Sequence, residues 1–102
     1  MAFKYGGYAG QVLEVDLTRG KAIAQALDPT LARDYLGGAG YCSRVLYDEI
    51  GPKTRPLGPE NVLIIAAGPL TGTLFPQASR HVVAAKSPLT DIWGEAHAAG
   101  HW

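Results

Sequence analysis

The chain has 102 residues, 47% of them apolar and 18% charged, and its formal net charge is zero. These values are typical of one globular domain with a modest core, and the lack of a basic excess argues against a nucleic-acid or membrane-surface binder. The single cysteine, Cys42, excludes an internal disulfide and a thiolate metal cage. With no apolar segment of signal-peptide or membrane-spanning length, a cytoplasmic location is expected.

Two alternating segments near the N-terminus predict an antiparallel hairpin. From Gln11 to Leu17, apolar residues occupy one face and acidic residues the other, which is typical of a half-buried strand. The sequence Thr18-Arg19-Gly20 is a turn signal, and Lys21 to Leu27 alternates again.

Two short helices are predicted next. Asp28-Pro29 is suited to a helix N-terminus, and Gly37-Gly38 to a left-handed stop. A second helix is expected from about Tyr41 to Ile50, with Gly51-Pro52 ending it. The residues predicted to face inward are Leu31, Tyr35 and Leu36 in the first helix and Tyr41, Val45, Leu46 and Ile50 in the second.

The second half of the chain predicts a loop and two strands. The segment 53–61 contains two prolines and a glycine, which favour a loop. Val62 to Ala67 is apolar without alternation, so we expect a strand covered on both faces. His81 to Lys86 is read as another strand, followed by a turn at 87–90. This order predicts an α+β domain with mixed or antiparallel sheets and two short helices.

The segment between these strands is the best candidate for an anion site. Gly68 and Gly72 allow sharp turns that expose backbone N–H groups, and Arg80 has a planar guanidinium suited to phosphate. The hydroxyl groups that could add hydrogen-bond donors belong to Thr71, Thr73 and Ser79. The segment lacks both standard phosphate-binding spacings, so a wide turn with a surface arginine is the competing interpretation.

The remaining candidates have structural alternatives. The cluster 37–40 could admit a ligand to the backbone or simply form a helix–helix corner. His97 and His101 would share a face of a helix, with Glu95 nearby, yet no third metal ligand is evident. His81 and Cys42 are interpreted as structural residues, and no catalytic constellation is complete.

Four stretches resemble the N-terminal domain of the tungsten-containing aldehyde:ferredoxin oxidoreductases. They are GYAGQVLEVDLTRGK, YLGGAG, PLGPENVLIIAAGPLTGT and SRHVVAAKSPLT, and the similarity extends from about Gly7 to Trp102. The resemblance implies a β-sheet base for a bis-pterin cofactor of tungsten or molybdenum. It also implies that this chain is an N-terminal piece of a longer protein, with further domains and ferredoxin or a related carrier as partners. A second copy of the chain is a further expected partner.

The resemblance also assigns residues. Arg80 matches the arginine that contacts the pterin near the iron–sulfur cluster, and residues His97, Ala98, Ala99 and Gly100 match the cofactor-binding segment after SPLT. The backbone carbonyl of His97 corresponds to the one that helps hold a magnesium ion between the pterin phosphates. The [4Fe–4S] cluster of the family is bound by cysteines of later domains, so it is expected outside this chain.

Three departures from the family pattern indicate a divergent branch. His97 replaces an asparagine, Ala39 replaces an arginine, and Ala78-Ser79 replaces a pair of glycines. The parent protein is expected to oxidise aldehydes to carboxylic acids, and the fragment alone to be inactive. The alternative is a non-catalytic binding or assembly module that keeps the fold.

Overall fold

The computed structural model describes residues 6–100, and it confirms the α+β class. The elements in chain order are β1 (Gln11–Asp16), β2 (Lys21–Ala26), α1 (Pro29–Tyr35), α2 (Gly38–Glu49), β3 (Ile64–Ala67), β4 (Arg80–Lys86) and β5 (Trp93–Ala99). The strands form two antiparallel sheets, a β1–β2 hairpin and a sheet in the order β3–β4–β5.

The predicted hairpin is present, but its predicted burial is wrong. Its strands pair from Gln11 opposite Ala26 to Asp16 opposite Lys21. The Asp16 carboxylate accepts hydrogen bonds from the N–H groups of Thr18 and Arg19 at 3.1 and 3.3 Å, which holds the turn. All residues of both strands except the half-buried Val12 are exposed. The alternation of apolar and polar residues predicted that one face of the hairpin is covered. Among residues 6–100, however, no helix or other strand packs closely against the hairpin.

Helix α1 begins as predicted and ends differently. The Asp28 carboxylate accepts a hydrogen bond from the N–H of Thr30 at 2.9 Å, and Pro29 occupies the first helical position. At the C-terminal end the positive φ angles begin one residue earlier than predicted, with Leu36 at 63°, and continue through Gly37 and Gly38 at 142° and 56°. The predicted inward stripe is wrong in part, because Ala32 is the buried residue while Tyr35 and Leu36 are exposed.

Helix α2 provides half of the buried core cluster. It begins at Gly38, earlier than predicted, and its buried side chains are Cys42 and Leu46. These two pack with Val82 and Ala84 of β4. Of the residues predicted to face inward, Leu46 is buried, whereas Tyr41, Val45 and Ile50 are only half-buried. The inward face is therefore centred on Cys42. The predicted inward face missed this residue because it relied on the spacing of large apolar side chains, and cysteine is small.

The three-stranded sheet corrects two predictions. β3 is not covered on both faces: Ile64 and Ala66 pack against the core, whereas Ile65 is 68% exposed. The sequence analysis also missed β5, which pairs with β4 from Arg80 opposite Ala99 to Lys86 opposite Trp93. The predicted 87–90 turn lies in the connection between these strands, where the N–H of Ser87 donates to the carbonyl of Ile92 at 2.8 Å.

Asn61 extends the sheet by imitating a backbone peptide. Its Nδ2 donates to the carbonyl oxygens of Pro56 and Lys86 at 2.8 and 3.0 Å. Its Oδ1 accepts from the N–H groups of Val62 and Lys86 at 3.0 and 3.3 Å. The side chain thus bonds to both backbone groups of Lys86, two residues beyond Ala84, which pairs with Ile64. The loop after α2 is thereby fixed to the sheet.

Lys86 secures the same loop from the other side. The residue is 8% exposed, and its Nζ donates to the carbonyl oxygens of Pro52 and Thr54 at 3.0 and 2.6 Å. The Asp91 carboxylate lies 3.6 Å from Nζ and offsets part of the buried charge. A buried lysine with these partners is satisfied, so its role in the fold is structural.

We predict that Asn61→Asp destabilises the protein, because the carboxylate replaces two amide donors and faces two carbonyl oxygens. The free energy of unfolding should fall by about 1–3 kcal/mol at neutral pH. Urea denaturation measures it, and Gln25→Glu, the same chemical change on an exposed strand, is the control. Equal stability of the two variants would contradict the role given to Asn61.

We also predict that the Cys42 thiol is inert in the folded protein. Burial, and secondly the nearby Glu95 carboxylate, raise the pKa of this fully buried thiol. Alkylation at pH 8 should be on the order of a hundredfold slower than in denaturant, because reaction requires local opening.

The same shift gives a pH dependence. A raised folded-state pKa stabilises the fold fully below the unfolded-state value, and this contribution is lost as the pH rises above about 8.5. Cys42→Ala should remove that part of the alkaline loss in stability, as measured by urea denaturation across pH. Rapid labelling of native Cys42 would contradict its assigned burial.

Candidate functional site

The structure brings three of the predicted site residues together at one end of the larger sheet. Arg80 is the first residue of β4 and lies opposite Ala99 of β5. Gly100 follows directly, and its N–H donates to the carbonyl of Ser79 at 3.4 Å. The Ser79 hydroxyl donates in turn to the Gly100 carbonyl. These bonds hold the end of β5 against the residues that precede Arg80.

His97 and Ala98 lie on opposite faces of that sheet. His97 is opposite Val82, so it shares the face on which α2 packs, and Arg80 shares this face by alternation. Ala98 is opposite His81 on the other face. The predicted segment from His97 to Gly100 therefore does not present its side chains on a single surface. A ligand that contacts the whole segment has to reach its backbone at the sheet edge.

The predicted helical pair of histidines is wrong for His97, which lies in a strand, while His101 lies outside the described residues. The His97 Nε2 is 3.5 Å from the Glu95 Oε2, and both side chains are partly exposed. In residues 6–100, no three histidine, cysteine, aspartate or glutamate residues are arranged to hold a metal ion. A metal ion at His97 would therefore need the backbone carbonyl of this residue, or further ligands from outside residues 6–100.

The loop that follows β3 is closed by its own hydrogen bonds. The N–H of Thr71 donates to the carbonyl of Gly68 at 3.2 Å, and that of Thr73 to the carbonyl of Leu70 at 3.1 Å. The Thr71 and Thr73 hydroxyls donate to the carbonyl oxygens of Arg80 and Leu70. The expectation that these hydroxyls and that of Ser79 are free donors for an anion is therefore corrected, because each serves the backbone.

Arg80 remains the candidate anion-binding group of this region. Its side chain is exposed, and no carboxylate of the described residues lies within 4.0 Å of its guanidinium. Gly100 follows Ala99, which lies opposite Arg80, and Gly72 follows Thr71, whose hydroxyl donates to the Arg80 carbonyl. These glycines adopt φ angles of 154° and 81°, and a Cβ at either position would meet no atom within 4 Å. An uncompensated cation beside open, glycine-bordered backbone fits a bulky anionic ligand.

An open apolar depression of about 360 Å³ lies beside the loop. It is lined by Leu36, Gly68, Pro69, Leu70, Thr71, Phe75, Pro76, Gln77 and Ala78. Leu36 and Gln77 both have φ angles near 60°, which non-glycine residues rarely adopt. The sequence analysis overlooked Phe75 and Gln77, and it assigned Leu36 to the core rather than to this depression. The signal that could have found them is the apolar Leu74-Phe75-Pro76 run inside an otherwise small and polar segment.

The glycine cluster 37–40 is a helix–helix corner, as one of the two interpretations proposed. A Cβ on Gly40 would lie 2.7 Å from the Tyr35 carbonyl oxygen, and one on Gly37 would lie 3.0 Å from that of Ala67. The space beside these two glycines is thus occupied by backbone of the same chain and not left open for a ligand. They set the N-terminus of α2 beside the start of the loop that follows β3.

Comparison with known proteins identifies the family. Residues 12–102 match the sequence model of the aldehyde ferredoxin oxidoreductase N-terminal domain. The chain belongs to this family. Among its relatives are the tungsten-containing aldehyde ferredoxin oxidoreductases of Pyrococcus furiosus and Pyrococcus abyssi, with 42% identity over 96% and 41% over 94% of this chain. The chain spans only 16% of the length of each of these curated relatives.

A solved structure supports the same conclusion on the fold. This family member resembles a chain of the active site complex BamBC of benzoyl coenzyme A reductase in complex with 1,5-dienoyl-CoA, with a TM-score of 0.87 and 40% identity. The similarity covers 90% of this chain and 14% of that chain. Within the described part of this aldehyde ferredoxin oxidoreductase N-terminal domain, no helix is long and apolar enough to cross a membrane.

We predict that Gly40→Ala destabilises this domain although alanine normally favours a helix interior. The added Cβ would push against the Tyr35 carbonyl and separate α1 from α2, at a cost of about 1–3 kcal/mol. Gly51→Ala is the matched control, because a Cβ there meets nothing within 4 Å. Urea denaturation checks both variants, and a gain in stability for Gly40→Ala would show that the two helices are not held this closely.

Proposed function

We propose that this chain forms one wall of the cofactor site in a bis-pterin oxidoreductase that uses tungsten or molybdenum. The observation that carries the proposal is the exposed Arg80, without a carboxylate partner among residues 6–100, next to the backbone of Ala99 and Gly100. The tungsten-containing relatives, at 41–42% identity over nearly the whole chain, support the metal and the reaction class.

Arg80 is the residue proposed to bind the cofactor through its charge. A guanidinium can donate two parallel hydrogen bonds to a phosphate or to polar edges of a pterin, and it stays charged at any physiological pH. The hydrogen bond from Thr71 to the Arg80 carbonyl fixes the start of β4. The flexible part of Arg80 is thereby limited to its side chain, which lowers the entropic cost of binding.

The end of β5 is proposed to contribute backbone rather than side chains. β5 is an edge strand of the described sheet, so alternate backbone groups face away from β4. Magnesium prefers oxygen ligands, and the carbonyl of His97 is the proposed one. Such a contact does not depend on the side chain, which is consistent with histidine at this position. Ala98, Ala99 and Gly100 keep the approach to this edge open.

The bound cofactor would supply two-electron oxidation of an aldehyde to a carboxylic acid, with electrons leaving through a [4Fe–4S] cluster to ferredoxin. Cluster ligation requires four thiolates. This chain has one cysteine, which is buried and has a raised pKa, so the cluster ligands are assigned to the remainder of the parent protein. The chain's own tasks are to bind and orient the cofactor, and by itself it is expected to be inactive.

The aldehyde is the part of the proposal that rests on relatives rather than on residues of this chain. A chain of the benzoyl coenzyme A reductase complex has the same fold at 40% identity. This domain is therefore compatible with more than one substrate, and the groups that choose the substrate are expected in the rest of the parent protein. Assays with aldehydes and with coenzyme A thioesters would separate the two substrate classes.

Arg80→Ala in the full-length parent protein tests the cofactor role. Loss of a charged hydrogen-bonding group costs about 1.5–3 kcal/mol, which corresponds to a tenfold to hundredfold weaker hold on the cofactor. We expect the tungsten or molybdenum content per polypeptide to fall, with pterin content falling in parallel. Elemental analysis and pterin fluorescence after acid release measure the two quantities.

Two further variants make this test specific. Arg55→Ala removes an exposed arginine from the loop after α2 and should leave the metal content unchanged. Arg80→Lys keeps the charge without the planar fork and should give an intermediate loss. Normal metal loading and turnover in Arg80→Ala would overturn the role of Arg80, and a parent protein without either metal would favour the non-catalytic module instead.

A further inference from the structure

The β1–β2 hairpin presents an apolar face that nothing in the described chain covers. Alternation and pairing put Leu13 and Val15 of β1 on one face, with the alanines of β2 beside them. Leu13 is 66% exposed and Val15 is 53% exposed. The opposite face includes Glu14 and the similarly exposed Ile23, at 58%. A two-stranded hairpin without a packing partner is marginally stable in water, so burial of this face by a partner would stabilise it.

The accessible surface of the chain is larger than expected for a compact monomer of its mass. Its accessible surface is 7822 Å², whereas a compact monomer of 10.8 kDa exposes about 5,500 Å². The radius of gyration is 14.4 Å, compared with about 12.8 Å for a compact domain of this length. The excess, roughly 2,300 Å², is well above the ~800 Å² that one partner buries in a standard interface. An excess of this size is typical of one part of a larger folded unit.

From these observations we propose that the apolar face of the hairpin packs against apolar residues of the remaining parent polypeptide. This inference rests on the proposed function only in requiring the longer parent, and the relatives are about six times the length of this chain. The covered residues would be Leu13 and Val15, with Ala22, Ala24 and Ala26 beneath the contact.

A second copy of the chain fits this face less well. Strands of six residues are about 20 Å long, and two of them span about 10 Å, which gives roughly 200 Å² per copy. A stable dimer needs about four times this area from each partner. A tethered segment needs less, because its high effective concentration replaces part of the binding energy. The opposite face also holds Val12 and Ile23, but it carries all the charged side chains of the two strands, Glu14, Asp16 and Lys21, and is therefore the better suited of the two to remain in water.

Single cysteines placed on the two faces test this inference in the full-length parent protein. Val15→Cys and Ile23→Cys are matched, because both positions are exposed to a similar degree in this chain and lie on opposite faces. Each variant is treated with a maleimide, and mass spectrometry of the peptides that contain residue 15 or 23 gives the labelling rate. We expect Val15→Cys to react at least tenfold more slowly than Ile23→Cys, with equal rates after denaturation.

Equal labelling of the two native variants, or faster labelling of Val15→Cys, would overturn the proposal. Protection of both cysteines would also overturn it, because the contact is assigned to one face. Dilution distinguishes a second copy: protection that disappears when the protein is diluted to a monomer would transfer the contact to a dimer and contradict the assignment. Metal content of the same samples is independent of labelling, so a failure of the cofactor proposal can be told apart from a failure of this one.

Discussion

The packing of α2 against one face of β3 and β4 is the interaction on which this structure depends. Cys42 and Leu46 fill the space over Val82 and Ala84, and these four residues form the buried cluster of the described chain. The core is small, so the fold relies on additional ties at its margins. Asn61 and Lys86 provide them by fixing the loop after α2 to the end of β4.

This arrangement also decides where the candidate site can lie. α2 covers the middle of β4, so the beginning of that strand, with Arg80, stays open at the sheet end. The loop after β3 closes on its own carbonyl groups and on that of Arg80. The threonine hydroxyls of this loop therefore stabilise its backbone. The Arg80 guanidinium, which has no carboxylate partner among residues 6–100, is left beside small residues. A rigid, open wall of this kind is suited to hold a large anionic cofactor, although it cannot enclose one.

Local features of the fold were predictable from the sequence. The cap at Asp28, the turn after Asp16 and the run of β4 depend on neighbouring residues, so short patterns predicted them well. The exposure of the hairpin and of Ile65 was not predictable. An apolar pattern indicates which face of a strand is suited to burial, but not whether another part of the same chain packs against that face. β5 was missed because its alanines, glycine and histidine lack β-branched alternation, and its conformation is fixed by pairing with β4. The resemblance selected Arg80 and the end of β5 as candidate site residues, and the strand register shows that His97 and Ala98 face opposite ways.

The most direct test of the cofactor wall is the position of the Arg80 guanidinium in a crystal structure of the metal-loaded parent protein. The account predicts a nitrogen of that group within about 3 Å of a phosphate or pterin atom of the cofactor. A guanidinium paired with a carboxylate of another domain, or facing bulk water with the cofactor bound elsewhere, would contradict it.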